Sequence, residues 1–307
     1  MWRVEDGKQM ARVEGKRVEC LAVSQDGRWI ATGTHRDGVF VWDAKTFEKV
    51  LSHREDHRDS INGIDFSPDS TRLVFAVRNR ASTLDIATRE RVQTLQHGWL
   101  IAAKYSPQGD RIATATRDSV RVWDSDDGRV LMDIPVSVTP WHNTGLLWFN
   151  NDLFIVSDST IKQFEASTGS SVSEWPVPDS TPISCIVLPK HGEFIAYSTS
   201  RTVTFWDTAT RSQLGLIQHP RDILSIALSP DDRFLVIVEK DGKITINSLS
   251  RINVSILSRS TGAYQQLSCS DRFSLVYTPH SRNQTFASTT PPSTLGSTTN
   301  SQTRMHY

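Results

Sequence analysis

Two histidines four residues apart, His53 and His57, form the first grouping whose types could do chemistry, since paired imidazoles often hold a metal. That spacing aims both rings at one ion only on a helix. Here Arg54, Glu55 and Asp56 connect two β-rich runs, so the pair is read as loop and no metal is expected. The three cysteines, Cys20, Cys185 and Cys269, are too few and too scattered for a disulfide framework or a zinc site. Cys20 and Cys185 share a phase with Gly63, Ala102 and Ser225, where every occupant is small, so tight packing explains them better than reactivity. The sequence carries no Gly-rich phosphate loop, no Gly-x-Ser-x-Gly elbow and no His-Glu-x-x-His pair. Recognition, with no catalytic residue and no cofactor, is the chemistry to look for.

Cations supply it. Arg36, Arg78 and Arg117 each stand six residues before a Trp-Asp or Leu-Asp pair, and Arg80 follows closely on Arg78. Arg201 and Lys240 fall one position to either side of the same phase in two later stretches, while Asp158 holds it in a third. A guanidinium pairs bidentately with carboxylate or phosphate, so a ring of such cations favours an acidic or phosphorylated segment. Asp37, Asp118 and Asp241 partly cancel the charge, and plainly solvated turns remain the alternative. Of the nine tryptophans, Trp99 and Trp141 begin inner strands of neighbouring units and are read as apolar anchors for a partner. Trp2, Trp42, Trp123 and Trp206 are read as core, and Trp29 and Trp148 as packed in strands.

A repeat must position these residues. Five stretches share one phrase, among them Ser24-Gln25-Asp26-Gly27, Ser67-Pro68-Asp69 and Ser106-Pro107-Gln108-Gly109, each between two β-rich runs. That pattern is a hairpin. About a dozen residues later comes Trp42-Asp43, Leu84-Asp85, Trp123-Asp124, Phe164-Glu165 or Trp206-Asp207, with Trp2 and Asn247 in the same phase at intervals of 39 to 42 residues. Such a period, with four short strands per unit, predicts an all-β fold: a single β-propeller of four-stranded antiparallel blades. Each blade must pack between two neighbours, because one sheet cannot bury both its faces alone.

The recurring Ser-Pro-Asp-Gly, Ile-Ala-Thr and Val-Trp-Asp phrases over roughly residues 1–250 resemble the WD-repeat family. The resemblance implies a hydrogen-bonded set of His, Ser/Thr, Asp and Trp in each blade, best matched by His97, Thr116, Asp118 and Trp123. It also implies an interaction scaffold. Six full units run over 18–57, 58–97, 98–136, 137–178, 179–219 and 220–258. Residues 1–15 read as the end of an earlier unit, and 264–278 as an inner hairpin, so a seventh blade shared by both termini is expected, with six blades the alternative. The propeller is thus placed at 1–280. Residues 281–307 hold five Ser, seven Thr and no acid, and are expected to form a disordered tail.

Lys+Arg and Asp+Glu are both 34, which removes any whole-chain case for nucleic acid, and no run of about eighteen apolar residues offers a membrane span. Few cysteines and no signal peptide suggest a reducing, intracellular place, the cytoplasm or the nucleus. The reading that results is a non-catalytic scaffold, a monomer or a subunit of a complex, binding other proteins or peptides. A sensor propeller cut from a larger protein, a propeller enzyme with a channel-mouth site and a degenerate remnant are the competing readings.

Overall fold

The computed structural model describes residues 17–54, 59–138, 145–157, 159–177, 181–189, 191–229, 231–249 and 273–276. They build six four-stranded antiparallel sheets in a ring, a β-propeller. In the first blade β1 (Val18–Val23), β2 (Trp29–Thr34), β3 (Val39–Asp43) and β4 (Lys49–His53) pair in chain order. Blades two to five repeat this over 61–96, 102–135, 146–176 and 185–218. First strands touch at the junctions of blades one and two, two and three, three and four, and five and six, so these blades run from an inner first strand to an outer fourth.

The sixth blade differs from expectation. Among the described residues its outer strand comes from the stretch expected in the inner hairpin of a seventh blade. Phe273–Val276 pairs with Lys243–Ser248, Lys243 opposite Val276 and Ile246 opposite Phe273. The third strand has backbone groups to satisfy along its outer side, and this segment satisfies them. Six sheets are therefore present among the described residues, the alternative to the expected seven. Residues 1–16, Trp2 among them, and the tail 281–307 lie outside the described residues.

The repeated phrases explain the turns. The hydroxyl of Ser24 accepts from Trp29 N at 2.8 Å, and Ser67, Ser106 and Ser229 do the same for Arg72, Arg111 and Phe234 N. Each serine thus closes the hairpin between its first two strands. The Asp of each Trp-Asp pair folds the next turn: Asp43 accepts from Lys45 N and Thr46 N, and Asp85, Asp124 and Asp207 repeat the arrangement. Those amide bonds hold the carboxyls of Asp43, Asp85 and Asp124 below their ordinary range.

Close approach on the inner side accounts for the small residues there. Cys20 Sγ donates across to Ile61 O of the next blade and Cys185 Sγ to Ile226 O, both at 3.4 Å. A Cβ on Gly33 would run into Cys20 Sγ and the Ile61 side chain, so no larger residue fits. Burial pushes the Cys20 thiol up to about 12, which leaves it protonated and unreactive at neutral pH.

Apolar clusters join the blades pairwise: the first to the second around Val41, Ile64 and Phe75, the second to the third around Leu95 and Trp123, and so on to the fifth and sixth around Phe205 and Ile237. Among the described residues no such cluster joins the sixth blade to the first. Cys20 and Ala22 face the second blade, so Leu21 and Val23 point the other way by alternation, and they are 59% and 56% exposed. Ile30 and Thr32, opposite Val23 and Leu21 on the same face, are buried, so the exposure is confined to the first strand.

Candidate functional site

Like turns share one face because the backbone ties them to the linkers. His97 N donates to Asn79 O, Val138 N to Arg117 O, Val177 N to Ser159 O and His219 N to Arg201 O. Each turn between a second and a third strand is thereby bonded to the linker leading into the next blade. The cations of these turns stand on this linker face. Since the turns join the two middle strands of each sheet, the cations sit at mid-radius and not at the channel mouth.

Their surroundings differ from blade to blade. Arg78 Nε pairs with Asp59 Oδ1 at 3.1 Å, and its guanidinium carbon lies 5.9 Å from the centroid of the Trp99 ring. Arg201 Nε and Lys240 Nζ bind the two oxygens of Asp222 at 3.1 and 3.0 Å. Hydrogen bonds from Lys240 and then Arg201 hold the Asp222 carboxyl below its usual range, so it stays ionised. Arg36 and Arg117 are exposed and have no ion pair with the described residues. Arg80, half-buried, begins its third strand beside Arg78. Trp141 and Asp158 lie outside the described residues.

Trp99 is 65% exposed, more than any other large apolar side chain described. Its loop is nevertheless held firmly. Leu100 N donates to Arg78 O, and Asn62 Nδ2 donates to Leu100 O at 2.8 Å. An exposed indole on a fixed backbone loses little freedom when covered, which suits it to anchor a partner.

The structural set of the third blade is real but differently composed. Trp123 Nε1 donates to Thr114 Oγ1 at 2.8 Å, His97 Nδ1 shares that hydroxyl at 2.8 Å, and His97 Nε2 meets Ser119 Oγ at 3.0 Å. Thr116 and Asp118 do not take those places. Trp123 pairs with Ile112, so the residue two further on, Thr114, shares its face, whereas Thr116 lies past the strand end. Thr116 Oγ1 instead accepts from Asp118 N and Ser119 N within the turn. Burial, and then the nearby Arg121, push His97 down to about 4, so the ring is neutral at pH 7 and donates through one nitrogen while accepting through the other.

The remaining tryptophans sort as follows. Trp42 Nε1 donates to Thr32 Oγ1 at 3.2 Å, while Trp29, Trp148 and Trp206 pack against apolar clusters. Trp175, which the periodic phrases do not single out, is buried and stacks on Phe154 at 5.7 Å.

A Ser–His–acid grouping does occur, at the junction of the first two blades. Ser60 Oγ lies 2.7 Å and Glu19 Oε1 3.4 Å from His35, but both approach Nδ1. A nucleophile relay needs the base to use its two nitrogens separately, one for the nucleophile and one for the acid. Ser60 also donates to His35 O at 2.9 Å, so the group ties two blades together. His53 sits in a strand against Phe75, and His57 lies outside the described residues. No group of three or more His, Cys, Asp or Glu placed to hold a metal occurs among the described residues. No helix there is long and apolar enough to cross a membrane.

The family model "WD domain, G-beta repeat" matches residues 7–43 and 89–124. WD repeat-containing protein 1 of Bos taurus is 36% identical over 87 residues, 27% of this chain and 14% of that protein. The transcriptional corepressor LEUNIG_HOMOLOG of Arabidopsis thaliana is 23% identical over 246 residues, 75% of this chain and 24% of that protein. Protein HIR1 of Yarrowia lipolytica is 26% identical over 262 residues, again 24% of its own length. The chain thus spans a quarter or less of these relatives. A chain in a crystal structure of a mitotic checkpoint complex superposes with a TM-score of 0.69 at 19% identity, covering 80% of this chain and 81% of that one. At that identity the likeness shows the fold alone.

Proposed function

The chain is a WD-repeat β-propeller, and we propose that its task is to hold a segment of another protein on the linker face, as a non-catalytic scaffold. One observation carries the reading: Trp99, 65% exposed, stands on a rigid loop beside a row of cationic turns. Trp99 supplies the apolar contact, and Arg36 and Arg117 are the cations left to meet an acidic or phosphorylated group. Cys20 and Cys185, both unpaired and buried, suit a reducing intracellular compartment.

A second reading makes the propeller the sensing part of a larger protein. It is favoured by the length of the relatives, of which the chain spans 14% to 24%. Both readings place the partner on the same face. A photo-crosslinking residue introduced at Asp118 is therefore expected to capture protein from cell extract, while one at Gln25, in an opposite-face turn, is not. Equal capture at the two positions, or capture at Gln25 alone, would count against both readings.

A further inference from the structure

We infer that the partner segment is bipartite, an anionic side chain close to a large apolar one, and that it docks across the second and third blades and not across the fifth and sixth. The inference rests on the scaffold reading and specifies its partner. The face is not electrostatically uniform, although the cation phase recurs around it. Across the fifth and sixth blades Asp222 already fills the place of an incoming carboxylate, binding Arg201 and Lys240 through separate oxygens. A partner anion there would have to displace a carboxylate tethered to the same surface, and gain only what that carboxylate gives up.

The second and third blades are arranged otherwise. Arg78 is committed to Asp59, which leaves its guanidinium fixed near the Trp99 ring as part of the platform. Arg117, in the next turn along, keeps its guanidinium free of ion pairs with the described residues. The two sites are neighbours. A Cβ on Gly98, the residue before Trp99, would lie 3.4 Å from the Thr116 side chain, one residue before Arg117. Asp118, exposed beside Arg117, repels an anion arriving from its own side, so approach is favoured from the side of Trp99. An anion on Arg117 and an apolar side chain on Trp99 can then belong to one short segment. Carboxylate and phosphate both satisfy this chemistry.

Two synthetic peptide pools test it, degenerate nonapeptides around a fixed glutamate and the same around a fixed phosphoserine, titrated against the full chain. Enriched peptides should carry Leu, Phe or Trp within a few residues of the anion, and the richer pool identifies the source of charge. R117E should weaken them about tenfold and W99A roughly thirtyfold, with melting temperatures unchanged. The double variant R201Q/K240Q should change affinity by less than about twofold. Binding that needs Trp99 but ignores R117E overturns the anionic half and leaves the scaffold standing. Binding lost equally in R201Q/K240Q overturns the placement. If neither pool binds better than to the W99A protein, the bipartite segment and the Trp99 scaffold reading fall together.

Discussion

Replacing Trp123 with alanine is expected to remove about 3–5 kcal/mol of unfolding free energy, measured by urea denaturation, while the same change at Trp99 removes less than about 1 kcal/mol. Trp123 is only 4% exposed and packs among Val74, Ala76, Leu95 and Ile112, where the second blade meets the third. Its indole meets the His97 ring edge-on at 6.3 Å and has the Arg121 guanidinium 5.4 Å from its centroid. Alanine would leave a cavity between two sheets that cannot close over it, and would take from Thr114 the donor it accepts. Trp99 leaves no cavity, because most of its surface already faces solvent. Equal losses at the two positions would contradict the division between a core and a contact tryptophan.

Deleting residues 1–15 is expected to lower the melting temperature by roughly 10 °C or to cause aggregation, read by calorimetry and light scattering. Leu21 and Val23 are exposed on the first strand of the first blade, and no described cluster links that blade to the sixth. The family match begins at residue 7, ahead of the first described strand. The deletion tests the closing role expected of residues 1–15. A ring left open at one seam exposes apolar surface on both sides of it. If the truncated chain melts and scatters like the full one, the ring is not closed by this segment.

The repeat was legible because turn chemistry is local. A serine that closes a hairpin and an aspartate that folds the next turn act within a few residues, so their spacing survives in the sequence. What was not legible depends on strand pairing or on long connections. Thr114 is distinguished from Thr116 only by which of them shares a face with Trp123, and that needs the register. The outer strand of the sixth blade comes from Phe273–Val276, well beyond the third strand ending at Ser248, and no period anticipates so long a connection. Asp222 and Asp59 could not be assigned to their cations, since nothing linear says which linker acid folds onto which turn. A further signal is readable in the outer strands. Val50, Val92, Leu131, Val172 and Leu214 stand eight residues after the Trp phase, and each is the extra residue of a bulge in an outer strand. A bulge there twists the exposed edge away from stray pairing.

The most direct test of the scaffold site is the triple variant R36E/R78E/R117E, compared with the unaltered chain in affinity capture from native extract at two salt concentrations. All three side chains are exposed, and the one ion pair lost, to Asp59, is worth about 0–1 kcal/mol. The melting temperature should therefore hold within a few degrees. Captured acidic partners should disappear, and with the unaltered chain they should fall away steeply as salt rises. A triple variant that keeps its melting temperature and every captured partner would contradict the assignment, and would leave those arginines as solvated turns.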